Sequence, residues 1–563
     1  MIVRMRVALP FVLLAIGLCA PAASARQKEP PSTWRAPSRA ELLRAEYRRY
    51  RSNNDLLHYD LDVRIDPEKK WIGGKNTIRF KMLKDDTRIQ LELYANLTID
   101  RITAPLKGLP YDLKYTRDVN TVYIDFPETL RSGRTYSIEF HYSGNPLEVG
   151  RFDALAFKKD PAGGHWINTA NEGVGSSVWW PSKDQWRDEP DGMDIRVAVP
   201  HPLINVSNGR FIGKTDLGDG YTKWHHRVHY PINSYNVSVN IANYVHFGET
   251  MGDLTLDYYV LPANLEKARK QFAQVKPMME AFEKYFGEYP FKKDGFKLIE
   301  VPYSGMEHQS AVTYGNRFAN GYLERDWTGV GVSLKFDFII IHESAHEWFG
   351  NAVSAAEQSD MWIHEGWATY LECLYVEHVF GYDDALKYTN GYKAKVGNKE
   401  PIIVQRGLAR DPGQDMYFKG ALFLHTLRSV VNDDKKWFKL IRDLYDQFKY
   451  KNSLTEEIVA FVNKELEQDL TPVFDQYLRR TALPVLELTF NDAEKLVWYR
   501  WRADERDFAM PIRVGDPAKW QTIQPTADWK SISWAATKDA FKVATDLYYV
   551  NVAVLDANGR PTK

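Results

Sequence analysis

The segment His342-Glu343-Ser344-Ala345-His346 follows the apolar run Phe338 to Ile341 and precedes Gly350-Asn351. An apolar run closed by glycine reads as a helix and its end, and histidines four residues apart on a helix share one face, about one turn apart. Two imidazoles so placed can bind one metal ion. Glu343 lies beside them, within reach of a water on that metal, which is the chemistry of metal-assisted hydrolysis. A catalytic zinc usually takes three protein ligands and keeps a fourth position open. The third ligand is sought in Asp360-Met361-Trp362-Ile363-His364-Glu365-Gly366-Trp367-Ala368-Thr369-Tyr370, which opens a second helix running through Phe380. Glu365 and His364 both qualify chemically. One step along a helix turns a side chain by about 100°, so only one of the two can face the metal.

The rest of the chain must hold these residues together. At 563 residues it has room for about three to four domains. Hydrophobic residues make up 44% and charged residues 26%, which excludes a largely disordered or collagen-like chain. Lys+Arg 73 against Asp+Glu 74 leaves a net charge of −1, so overall charge recommends neither nucleic acid nor an anionic membrane as partner. Residues 1–25 carry Arg4 and Arg6, an apolar stretch from Val7 to Ala20 and the small-x-small site Ala23-Ser24-Ala25. They read as a signal peptide, which implies export to a periplasm or to the outside. Its removal leaves Cys373 as the single cysteine and no disulfide. Residues 26–51 read as a tail and a short charged helix. Period-two alternation then sets in, as in Tyr59, Leu61, Val63 and Ile65, in Ile78, Phe80 and Met82, in Val122, Ile124 and Phe126, and through Tyr235, Val237, Val239 and Ile241. It predicts an antiparallel β domain over 52–250. A mostly helical domain follows over 251–481, with helix starts read at Ser453-x-x-Glu456 and Thr471-Pro472. Alternation returns from Leu486 and predicts a small β-sandwich over 482–563.

The sequence resembles the M1 family of zinc aminopeptidases, within the gluzincins. That family's His-Glu-x-x-His with Trp-Phe-Gly-Asn after it is matched over His342 to Asn351, and its Glu-Gly-Trp/Phe-Ala over Glu365 to Ala368. The resemblance implies an N-terminal β saddle, a thermolysin-like catalytic domain and further C-terminal structure. It also implies one zinc ion held by His342, His346 and Glu365, which selects Glu365 over His364. Glu343 takes the general-base role. Tyr417-Phe418-Lys419-Gly420 matches the family's Tyr-x-Lys-Gly, which makes Tyr417 the oxyanion donor. The family's Gly-x-Met-Glu-Asn loop, which binds a free substrate amine, corresponds to Gly305-Met306-Glu307-His308 after Ser304. Gly305, Met306 and Glu307 are retained, whereas Ser304 and His308 depart from the pattern. Asn171-Glu172-Gly173, upstream of Trp179-Trp180-Pro181, resembles the region of the β domain that supplies a second anchor, with Glu172 as the candidate.

Together these readings lead to an exported zinc aminopeptidase acting on peptides with a free N-terminus. The competing readings are an endopeptidase or an epoxide hydrolase on the same scaffold, and a binding scaffold without catalysis. Cys373 lies among apolar helix residues and is expected in the core. The sequons at Asn96, Asn205 and Asn236 matter only where exported proteins are glycosylated.

Overall fold

The computed structural model describes residues 36–556 and 560, except 107 and 411. The signal-peptide reading and most of the predicted tail lie outside the described residues. Ala36 and Pro37 are the described part of a first segment, and Ser38 onward forms one compact unit. Its first helix, Arg39–Ala45, is started by a capping box in which Ser38 and Glu41 satisfy each other's backbone N–H groups. A second short helix, Arg49–Ser52, buries Arg51 against Glu92, so this segment is partly internal rather than a solvated charged helix.

The β saddle is built on an eight-stranded sheet. The strands Asn54–Asp66 and Trp71–Met82 form its middle, flanked by Met193–Pro200 on one side and Thr135–Gly144 on the other. All its pairings are antiparallel except that of Asn54–Asp66 with Met193–Pro200. Alternation decides which face is buried: Tyr59, Leu61, Val63 and Ile65 point inward and share an apolar core with Ile89, Leu91, Val122 and Ile124 of a three-stranded sheet. The run from Tyr235 to Ile241 behaves differently from its period-two reading. Ser234–Asn236 is a 3-10 turn, and the strand is only Val239–Ala242, buried along its whole length. A segment covered on both faces gains nothing from alternating, so its pattern carried no information about pairing.

The second layer begins earlier than residue 251. Val245–Met251 pairs antiparallel with Leu254–Val260, which pairs in parallel with Phe296–Glu300, in a five-stranded sheet with Gly305–Met306 at its far edge. The helix Phe338–Ala345 packs against this sheet, and Val275–Phe286, Trp362–Phe380 and Asp415–Val431 join it in one apolar cluster. The helix read at Ser453 starts at Thr455. Ser453 ends a short strand, and Glu457 rather than Glu456 receives the Leu454 N–H. Thr471–Leu478 begins with Thr471 itself and carries Pro472 within its first turn. The C-terminal region contains a three-stranded and a four-stranded sheet, and Leu486, Leu488, Val497 and Trp501 of the latter belong to the same apolar cluster as the helices above. Cys373 is buried, and burial pushes its thiol pKa up. Asn205 and Asn236 are buried, whereas Asn96 is exposed. Among the described residues, no helix is long and apolar enough to cross a membrane.

Candidate active site

The helix Phe338–Ala345 is fixed at its start by Asp337, whose carboxylate accepts the N–H groups of Ile339 and Ile340. His342 lies within the helix and His346 caps its end, and their Nε2 atoms face each other at 3.4 Å. Glu365, in the first turn of Trp362–Phe380, brings Oε2 to 3.3 Å from the His342 Nε2 and 3.2 Å from that of His346. Ligands at about 2.0–2.1 Å from a tetrahedral zinc stand roughly 3.3–3.4 Å apart, so the three atoms already form one face of such a tetrahedron. Oε2 of Glu365 is buried with no hydrogen-bond donor. Burial opposes a charge on His342, yet Glu365 and Glu372 hold its pKa well above the ordinary histidine range. Burial likewise disfavours the Glu365 carboxylate, but His346 and His342 hold its pKa well below the usual range. The pocket calls for positive charge between these three residues, and its donor set fits zinc.

Both imidazoles are oriented from behind. Nδ1 of His342 donates to Glu372 Oε1 at 2.6 Å, and the other oxygen of Glu372 accepts from the hydroxyls of Tyr388, at 2.6 Å, and Tyr392. Nδ1 of His346 donates to the Phe349 carbonyl at 3.0 Å. Each ring therefore presents Nε2 as its free lone pair. Glu343 is buried at the same cleft, and burial pushes its carboxyl pKa up to about 7. Gly305 leaves it that room: a Cβ there would stand 2.9 Å from Glu343 Cγ and 2.6 Å from an Ile339 methyl.

The cleft holds about 710 Å³ of open space. Glu172, Gly305, Met306, Glu307, His342, Glu343, His346, Glu365 and Tyr417 all line it, so the structure brings together every residue singled out for the site. Glu307, Glu343 and His346 present polar atoms within 4.8 Å of one another. Burial raises the pKa of Glu307, and the charge of Glu365 adds to the rise while His346 opposes it. Tyr417 sets its ring 6.0 Å from that of His342. Burial raises its phenol pKa well above the ordinary value, and the charges of Glu365 and Glu172 add to this. On the His342 side the wall is aromatic, made by Tyr322, Trp327, Phe338, Tyr392 and Phe418. Phe338 stacks on His342 at 5.2 Å.

The helix Asp415–Val431, which carries Tyr417, crosses Trp362–Phe380 where Gly420 meets Gly366. A Cβ on Gly420 would lie 3.0 Å from Gly366 Cα, and one on Gly366 would lie 3.1 Å from the Met416 carbonyl oxygen. The glycines after Glu365 and after Tyr417 are thus the contact that sets the metal ligand beside the phenol. Lys419 ties the same helix to the chain's C-terminal part by donating to the carbonyls of Arg480, at 2.8 Å, and Thr481.

The profile described as Peptidase family M1 domain matches residues 271–477, and that described as Peptidase M1 N-terminal domain matches residues 56–235. The chain belongs to peptidase family M1. Human endoplasmic reticulum aminopeptidase 1 is 24% identical over 354 residues, which cover 59% of this chain and 36% of that protein. Rat glutamyl aminopeptidase is 23% identical over 507 residues, covering 82% of this chain and 51% of that protein. The chain therefore spans about a third to a half of these relatives. An M1 zinc metallopeptidase from Deinococcus radiodurans shares the fold at a TM-score of 0.64 and 20% identity, over 77% of this chain and 94% of that one. A variant of that protein was solved with a Tyr-Ser-Ala substrate bound.

Within this M1 chain four further placements bear on the sequence reading. Glu372 was missed as the support of His342. Its signal was the spacing of two helical turns from Glu365, which puts both carboxylates on one face. His364 turns away from the metal ligands. Its Nε2 accepts the Ala355 N–H at 2.8 Å, and its ring stacks on Trp186 at 5.3 Å and 8°. His308 does not line the cleft; it is fully buried, both ring nitrogens lack a hydrogen-bond partner, and burial pushes its pKa down to about 3. Ser304 does line the cleft, and its carbonyl accepts the Gly315 N–H.

Proposed function

We propose that the protein is a zinc-dependent aminopeptidase that removes N-terminal residues from peptides. The observation that carries this reading is the pairing of a three-ligand metal site with the carboxylates of Glu307 and Glu172 in one cleft. A substrate α-ammonium is a cation that such carboxylates bind by charge-assisted hydrogen bonds. Held there, the first residue of a peptide presents its carbonyl at the metal site, and the remainder of the chain runs toward the aromatic wall beyond His342. The edge strand Gly305–Met306 lines the cleft and brings backbone groups to that path.

A zinc ion held by His342, His346 and Glu365 supplies Lewis acidity to a substrate carbonyl and lowers the pKa of water at that position. Glu343 takes a proton from the attacking water at its carboxylate. A carboxyl raised to about 7 keeps that proton well enough to return it to the leaving amine. Tyr417, whose phenol stays protonated, donates to the oxyanion of the tetrahedral intermediate. Relatives named aminopeptidases, and a neighbour of like fold solved with a tripeptide, support peptides as the substrate class.

The reading is tested by mass spectrometry of one decapeptide with a free and with an acetylated N-terminus, using zinc-loaded, chelated and Glu343→Gln protein. Stepwise loss of N-terminal residues is expected from the free peptide and the zinc-loaded wild type alone, with turnover of Glu343→Gln down about 10³-fold. Internal cleavage of both peptides would make the protein an endopeptidase. No cleavage of either would move it to a non-peptide substrate or a binding role.

A further inference from the structure

Behind Glu307, on the side away from the cleft, stands an aromatic column that the site described above does not use. Tyr235 sits in the buried turn Ser234–Asn236 and donates its hydroxyl to Glu307 Oε1 at 2.9 Å. Its ring stacks on Trp186 at 5.1 Å and 28°, and Trp186 stacks in turn on His364 at 5.3 Å and 8°. His364 is held in turn by the Ala355 N–H and lies next to the metal ligand Glu365. Trp186 is anchored through its carbonyl, which accepts from Asn452 at 2.6 Å. The backbone of Glu307 is gripped as well. Its carbonyl accepts from Asn351 Nδ2 at 2.7 Å, and Asn351 Oδ1 accepts from Asn236 in the Tyr235 turn.

Packing alone does not account for the phenol oxygen. A phenylalanine fills the same stack, and burying a hydroxyl costs free energy unless it finds an acceptor. The acceptor it finds is the group proposed to bind the substrate amine. That carboxylate is buried, with its polar atoms close to those of Glu343 and His346. A donor on one oxygen fixes the plane of the group. Burial and the charge of Glu307 keep the Tyr235 phenol protonated, so its O–H is available to donate to that carboxylate.

We infer that Tyr235 is a positioning residue for recognition of the substrate N-terminus: its hydroxyl, held by the Trp186–His364 stack, engages one oxygen of Glu307 and leaves the other for the α-ammonium. The inference rests on the aminopeptidase reading. It also links the saddle, which supplies Tyr235 and Trp186, to the helix that supplies Glu365.

The test compares zinc-loaded wild type, Tyr235→Phe, Glu307→Gln and the double variant, with zinc content and melting temperature measured for each. For an aminoacyl anilide, Tyr235→Phe is expected to raise KM about tenfold, the usual worth of a hydrogen bond to a charged group, with kcat within about threefold. In the Glu307→Gln background the same change should do nothing further, since the two act as one unit. Inhibitor binding gives a second readout. For the best-bound amino acid of a panel, Tyr235→Phe should weaken binding about tenfold, while the same acid without its α-amino group should bind unchanged. Equal losses in both backgrounds, or equal weakening of both inhibitors, would overturn the inference and leave Tyr235 a packing residue. If Tyr235→Phe does not accumulate, Trp186→Phe, which thins the stack, should move the inhibitor ratio the same way, and an unchanged ratio counts against the proposal. Wild type that cleaves only internal bonds would defeat the aminopeptidase reading instead, a result separate from all of these.

Discussion

Glu372 holds His342 from behind, so a single-atom change there should be felt at the metal site. Its carboxylate accepts a hydrogen bond from the His342 Nδ1–H at 2.6 Å and is itself held by Tyr388 and Tyr392. Glu372→Gln keeps the volume and removes the charge, so the imidazole loses basicity and orientation. Zinc affinity, measured by competition with a chromophoric chelator, is expected to fall about 10- to 100-fold, with little change in melting temperature of the zinc-free protein. Unchanged affinity would mean that His342 is fixed by packing alone. His342 and His346 were legible at this scale because four-residue spacing on a helix puts them on one face, whereas spacing left Glu365 and His364 open and the family resemblance chose between them. The roles of Tyr235 and Trp186 were not legible, because they reach Glu307 and His364 across separate segments that no local period connects.

Elements position the site through close contacts that side chains cannot adjust. At the crossing of Trp362–Phe380 with Asp415–Val431, backbone meets backbone at Gly366 and Gly420. Gly420→Ala inserts a carbon against a Cα, and the helices can only separate. Overpacking of this kind costs about 1–3 kcal/mol, which should appear as a lower melting temperature. It should also lower kcat/KM at least tenfold by moving Tyr417 relative to Glu365, since small misplacements of reacting groups are expensive. A variant with wild-type kinetics would show that this crossing does not set the phenol. The strands of the saddle were readable wherever one face is buried, as in Tyr59 to Ile65. The run Tyr235 to Ile241 was read as a strand because buried turns and buried strands are equally apolar, and alternation ceases to discriminate when both sides are covered.

For the whole molecule, the saddle and the catalytic layer meet along a polar seam. Arg187 of the saddle pairs with Glu357, and Glu189 accepts from Asn452 at 2.7 Å. Burial pushes the pKa of Glu189 from 4.5 up to about 7 against its hydrogen bonds. The folded protein therefore keeps a proton there that the unfolded chain has lost, and stability falls as pH rises from about 4.5 through 7. Relative to Glu189→Gln, the wild type is expected to lose on the order of 2 kcal/mol between pH 4.5 and 8, read from denaturant midpoints at each pH. Parallel curves for the two proteins would remove Glu189 from the account. Glu172 of the saddle and Glu307 of the catalytic layer line one cleft, so under the proposed function both parts of the chain take part in binding the substrate amine. The most direct test is therefore the ratio of kcat/KM for a free peptide to that for its N-acetylated form, measured for wild type and Glu307→Ala. A ratio of about 10³ or more in wild type, collapsing at least a hundredfold in the variant while zinc content holds, is the expected result. A ratio near one in wild type, or one that Glu307→Ala leaves intact, would contradict amine recognition at this cleft.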